Sequence, residues 1–218
     1  MVRCAFIIVM TVDTSLKISG DIDIREYCNS NEVGQSRLIE QAHSEPAVFV
    51  QLYRCYYDAV FRYCAHRLFD RVTAEDVTST VFLKAVENFH RFKGSEKQFR
   101  NWLYKIATNA VNDHLRKTAR RKNALKLVGE TIKTETADRK DADNDNAVKS
   151  ALLKQAMLTL KPRYQTIITL RFFENLKLTE IAEVLGSSPG TVRSQLSRAL
   201  VGLRKHIAFD KQGVYEDD

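Results

Sequence analysis

Glycine and proline are scarce in this chain, 8 and 3 among 218 residues. So few turn formers argue against the many short strands and hairpins of a sheet protein. The four cysteines, Cys4, Cys28, Cys55 and Cys64, form no C-x-x-C pair and have no histidine near them at metal-ligand spacing. No metal site is expected. Cys64 falls on an apolar helix face, the usual place of a buried thiol, and a reducing, cytoplasmic compartment fits this cysteine usage. Long apolar runs are missing too. The stretch 4–10 is far too short to span a bilayer, so no membrane insertion is expected. Its single preceding charge, Arg3, and the lack of a clear small-residue cleavage site also make it a poor signal peptide. Residues 1–32 are therefore expected to be a poorly ordered extension, with Met10 an internal candidate start. No Gly-Lys-Ser/Thr phosphate loop occurs, and neither a cofactor nor a catalytic residue is expected. The adjacent carboxylates Glu75 and Asp76 diverge by about 100° on a helix and lack partner ligands, so capping explains them better than a nuclease centre.

What the chain does have is positive charge, unevenly placed. Residues 47–121 carry 14 Lys/Arg against 7 Asp/Glu, and residues 158–207 carry 8 against 3. The first 46 residues and the last 11 are each net −3, while residues 122–157 are close to neutral. Two basic blocks separated by a near-neutral stretch suggest two modules that face nucleic acid.

Apolar spacing resolves the blocks into helices. A short helix is expected around 33–42. Ser44-Glu45-Pro46 opens a longer one with the stripe Phe49, Leu52, Tyr53, Tyr56, Tyr57, Val60, Phe61, Cys64 and Leu68. Thr73 and Asp76 suggest a variant capping box for a helix using Val77, Val81, Phe82, Ala85 and Phe89. Ser95 and Gln98 form a second box before Phe99, Trp102, Leu103, Ile106, Ala107, Ala110, Val111 and His114. The fold class is all-α, two small helical domains joined by a flexible linker. The boundaries are a bundle over 33–121, a polar, aperiodic linker over 122–150, a second domain over 151–208 and an acidic tail over 209–218. As flexible coil, residues 122–157 would span about 33 Å, and fully extended about 120 Å. In the second domain Leu152, Leu153, Ala156 and Leu160 restore the period. Pro162 then opens a helix whose Ile167, Ile168, Leu170, Phe172 and Phe173 are expected to pack under residues 178–203.

Residues 178–193 have the parts of a helix-turn-helix. Thr179 is placed to cap the first helix, with Glu180 in its first turn. Gly186 stands where a left-handed residue ends it, Ser187 or Ser188 caps the next helix, and Pro189 sits near its start. Val192, Leu196, Ala199, Leu200 and Leu203 form an inward stripe. Thr191, Arg193, Ser194, Gln195, Ser197 and Arg198 point away, a set suited to base edges and phosphates. A plain helical hairpin with a solvated face is the alternative, and the agreement of cap, turn and stripe favours DNA binding.

The densest charge is elsewhere. Residues 91–121 carry nine Lys/Arg against Glu96 and Asp113 alone, with Phe92, Phe99, Trp102 and Tyr104 interleaved. Cations neutralise phosphates, and aromatic faces receive unstacked bases. Phe99 and Trp102 lie on the apolar stripe and read as core, whereas Phe92, in the loop before Gly94, is the better candidate for touching a base.

Through the strings 52–57, 74–77, 81–85 and 99–107, with Asn109 and 113–116, the segment 49–121 resembles region 2 of an extracytoplasmic-function (group IV) sigma factor of the sigma-70 family. The segment 158–207 resembles region 4, through 160–163 and 190–194. The resemblance implies a subunit that binds core RNA polymerase, recognises the promoter −10 and −35 elements and directs transcription initiation in the cytoplasm, at the nucleoid. Core polymerase would meet the helix 73–89 through Glu75, Asp76, Ser79, Thr80, Phe82 and Leu83. The −10 element would be recognised and opened by Phe92, Lys93, Arg100, Asn101, Lys105, Asn109, Asn112, Arg116 and Arg120. The −35 element would be read by Thr191, Arg193, Ser194, Gln195, Ser197 and Arg198. The linker would thread toward the RNA exit channel, and an anti-sigma factor is an expected partner. Two positions depart from the family pattern: Ser79-Thr80 replaces a common Gln-Glu, and Gln195 stands where Arg or Lys is common. The alternative function is a helix-turn-helix regulator that acts without polymerase, which would need no second DNA-facing module.

Overall fold

The structure, a computed structural model, describes residues 32–127 and 144–213. They form α-helices and short turns, with no strand among the described residues, as the scarcity of turn formers requires. The chain divides into two compact units at Ala110/Val111. The extension 1–31, residues 128–143 and the last five residues lie outside the described residues.

The first unit contains α1 (Glu32–Ser44), a 3-10 turn (Pro46–Val48), α2 (Phe49–Leu68), α3 (Arg71–Asn88), a second 3-10 turn (Phe89–Arg91) and the start of α4 (Glu96–Leu127). Each boundary has a local cause. Phe69 ends α2 in the left-handed region, φ 55°, with its N–H on Ala65 O. The next helix then starts earlier than the Thr73/Asp76 pair suggests: Asp70 Oδ2 accepts from the Thr73 N–H at 2.7 Å and caps α3. Of the expected Ser95/Gln98 box one half is made, Gln98 Oε1 accepting from the Ser95 N–H at 2.8 Å, while the Ser95 hydroxyl also turns to Gln98 Oε1 at 3.3 Å.

Leu52, Val60, Tyr63 and Cys64 of α2, Ala74 and Val81 of α3, and Phe99, Leu103 and Ala107 of α4 are buried. Of the stripe expected on α2, Tyr53, Tyr57, Phe61 and Leu68 are only half-buried. Tyr63 and Arg67 are buried in addition, because α2 packs against more than one neighbour. Cys64 is buried, as its place on the apolar face of the helix predicts.

Two hydrogen bonds tie α2 to α4. The Tyr56 hydroxyl donates to Glu96 Oε1 at 2.6 Å, and the Tyr63 and Thr108 hydroxyls lie 2.8 Å apart. Burial, then the Glu96 bond, push the Tyr56 phenol far above its ordinary value, so it remains a donor. Tyr56→Phe should lower stability by about 1 kcal/mol, since the carboxylate loses its donor while the ring still packs. Urea unfolding should show a lower midpoint at unchanged slope.

The second unit contains α5 (Asn144–Thr159), α6 (Pro162–Ile168), a π-helical turn (Thr169–Phe173), α7 (Leu178–Leu185) and α8 (Pro189–Gly213). Its core includes Met157, Leu160, Ile167, Leu170, Leu176, Ile181, Val184, Val192 and Ala199. The expected helix after Pro162 changes winding at Thr169. The wider turn keeps Thr169 and Leu170 inside but leaves Phe172 53% exposed, so Phe172 does not pack beneath the following helices.

Helix also reaches beyond the expected domain edges. Within the span expected as linker, 122–150, α4 runs on to Leu127 and α5 begins at Asn144. Good helix formers in 122–127 prolong α4 without an apolar stripe. Between the two helices lie residues 128–143, whose extended reach is at most about 55 Å. At the other end α8 extends to Gly213, into the expected tail.

Candidate nucleic-acid interface

The helix-turn-helix is built as its residues dictate, with one change at its start. The α7 cap position is Lys177, not Thr179, and Glu180 at the third helical position accepts from the Lys177 N–H at 2.6 Å. The bond turns the Glu180 side chain back along the helix, and the residue is buried. Gly186 takes φ 58°, and the Ser187 N–H returns to Ala182 O at 2.9 Å. Ser188 Oγ then accepts from the Thr191 N–H at 3.2 Å, with Pro189 as the first residue of α8. A Cβ at 186 would meet nothing, so Gly186→Ala tests backbone strain alone. The variant should lower the melting temperature through a loss of about 1 kcal/mol, with Gly186→Asn losing less.

On α8, Val192 and Ala199 are buried and Leu196, Leu200 and Leu203 half-buried, while Thr191, Arg193, Ser194, Ser197 and Arg198 are exposed. Gln195 differs from these. It is half-buried, and its Oε1 accepts from Arg163 Nε at 2.8 Å, while Arg163 Nη2 donates to Ser187 Oγ at 3.0 Å. No local pattern points to Arg163, which stands 32 residues from Gln195 in the chain.

The predicted −10 set is divided by the fold. Lys105, Asn109, Arg116 and Arg120 are exposed on α4, within about 60° of one another at 100° per residue. Asn112 shares this stripe, half-buried, and Arg116 pairs with Asp113. Lys93 is exposed and Arg100 half-buried. Two members are buried instead. Phe92 is 8% exposed, its ring 5.3 Å from Phe99 and 5.2 Å from Trp102, and Asn101 is 4% exposed. The loop folds the Phe92 ring onto apolar neighbours, since burial stabilises it more than water contact would. Trp102, expected in the core, is the half-exposed aromatic of this cluster.

On α3, Glu75, Asp76 and Thr80 are exposed and Ser79 and Leu83 half-buried. Phe82 is instead buried, with Tyr53 edge-on at 4.7 Å. Ser79 and Thr80 donate to the carbonyls of Glu75 and Asp76, each at 3.0 Å, and Glu75 is paired with Arg71 at 3.0 Å. Among the described residues no cluster of His, Cys, Asp and Glu could hold a metal, and no helix is long and apolar enough to cross a membrane.

Fold and surface together define a DNA-binding protein of two helical modules, one basic along a single long helix and one a helix-turn-helix. Residues 52–121 match Sigma-70 region 2, and residues 150–202 match Sigma-70 region 4. The chain is 31% identical to the ECF RNA polymerase sigma factor BldN of Streptomyces coelicolor, over 85% of this chain and 70% of that protein. It is 32% identical to RNA polymerase sigma factor YlaC of Bacillus subtilis, over 74% and 92%. The same fold is found in the sigma factor RpoE of Bartonella quintana, solved with the anti-sigma factor NepR (TM-score 0.59, 22% identity, 74% of this chain and 98% of that one). CnrH, solved with the cytosolic domain of CnrY, is similar at TM-score 0.60 and 21% identity, over 81% and 99%. The chain belongs to the extracytoplasmic-function group of the sigma-70 family. It is an RNA polymerase sigma factor, which binds core polymerase and promoter DNA and directs transcription initiation.

Proposed function

We propose that the two modules divide promoter recognition between them. Helix α8 enters the major groove of the −35 element and reads it with Thr191, Arg193, Ser194, Gln195, Ser197 and Arg198. Its outward polar face, opposite a buried Val192 and Ala199, is the observation that carries this reading. Along α4, Lys105, Asn109, Arg116 and Arg120 track a strand of the −10 element, with Lys93, Arg100 and Asn112 at its margin. Trp102 takes the part of the accessible aromatic for an unstacked base. The exposed side of α3, with Glu75, Asp76, Ser79, Thr80 and Leu83, docks on core polymerase. No bond is made or broken by the protein: strand opening is driven by binding energy, and captured bases offset the loss of stacking.

The similarity to RpoE, solved with the anti-sigma factor NepR, supports an anti-sigma partner for this chain as well. A cytoplasmic, nucleoid-associated location follows from work on chromosomal promoters. Run-off transcription with core polymerase and genomic promoter fragments tests the whole scheme. The protein should switch on specific start sites. Failure to stimulate any fragment, together with failure to bind core, would sink it.

A further inference from the structure

The Arg163 bridge bears on what α8 can read. A guanidinium carries donors and no acceptor. The Gln195 amide must therefore turn its oxygen toward Arg163, since the opposite flip would set N–H against N–H. The other arm of the fork ends on Ser187, next to the left-handed Gly186 that closes the turn. Arg163 is thus anchored at two points and holds the amide in one orientation.

We propose that Arg163 is a specificity-determining residue that acts through Gln195. The inference rests on the assignment of α8 to the −35 major groove. An unheld glutamine reads adenine by accepting from N6 with its oxygen while donating to N7 with its NH2. With the oxygen turned to Arg163 and one of its two lone pairs occupied there, the NH2 end of the amide is the one left to face DNA, and Gln195 acts on the bases as a donor. Guanine offers two acceptors, N7 and O6, to such a side chain. Adenine offers N7 alone and sets its own N6 donor against the amide. At the step beneath Gln195 the protein therefore selects guanine over adenine. The Arg163 charge also attracts phosphates, but that attraction is the same for every sequence.

The test is selection from a DNA library randomised across the −35 element. Holoenzyme is reconstituted from core polymerase and the full chain, and bound DNA is sequenced. The wild-type protein should enrich guanine at one position, and Gln195→Ala should abolish that enrichment. Arg163→Met keeps the stem without the guanidinium, and should shift the same position toward adenine by about tenfold, leaving the other positions alone. Ser187→Ala, which loosens one arm of the fork, should produce a smaller shift of the same sign. Lys161→Ala removes a nearby exposed charge and should weaken binding without altering any preference. Retention of the guanine preference in Arg163→Met overturns the proposal, as does an unchanged profile in Gln195→Ala. Enrichment of no −35 sequence by wild-type holoenzyme that assembles normally overturns instead the assignment of α8, and the inference with it.

Discussion

Phe99→Ala should lower the stability of the first unit by about 3–5 kcal/mol, the range for removing a large buried aromatic. The ring is 0% exposed. It meets Tyr56 at 5.3 Å, Phe89 at 5.8 Å, Phe92 at 5.3 Å and Trp102 at 5.6 Å, and so joins α2, the 3-10 turn and α4. Alanine would leave a cavity among side chains from three elements, which cannot all collapse into it. A domain stable by about 5–15 kcal/mol has little margin for such a loss. The single tryptophan of the chain, Trp102, lies in the same cluster and reports the transition. Urea unfolding followed by its fluorescence should show a much earlier midpoint, with Phe99→Leu falling between variant and wild type. A loss below about 1 kcal/mol would mean that the cluster does not hold the unit together. The −10 contact proposed for α4 should fall in step with folding, because its stripe is displayed only by the packed helix.

The second large effect concerns DNA and should leave the fold alone. Arg193 and Arg198 are exposed on α8, away from the Val192 and Ala199 side. Alanine at Arg198 should weaken binding to the −35 element by about tenfold or more, the loss expected for one well-made arginine contact. Arg193→Ala should act similarly, and where the lost contact is to phosphate the salt dependence should become shallower by about one counterion. Core polymerase affinity should not change, because the contact proposed for it lies on α3. Fluorescence anisotropy with labelled promoter DNA and, separately, with labelled core polymerase tests both statements. Equal loss of the two activities would refute the division of roles.

The helix-turn-helix was legible because its signals are local. Gly186 needs no tertiary partner to favour a left-handed turn, and Ser188 and Pro189 act within one turn of the helix they start. The regions were legible for a related reason, since charge and apolar period can be counted along the chain. Elsewhere the local signals competed. Asp70 outdid Thr73 as a cap because Phe69 ends α2 in the left-handed region and lets α3 begin directly afterwards. Glu180 likewise served the first turn of α7 by reaching back to Lys177, which moved the helix start ahead of Thr179.

By itself the sequence determined the all-α class, the two basic modules, the turn at Gly186 and the inward stripe of α8. Each follows from backbone preference or from the 3.6-residue period, which act over a few neighbouring residues. Tertiary structure decided which members of a mixed face remain outside. It buried Phe92 and Asn101, left Trp102 half-exposed and closed Arg163 onto Gln195. Those outcomes depend on which helices meet and how closely, and contacts between residues far apart in the chain leave no period in it.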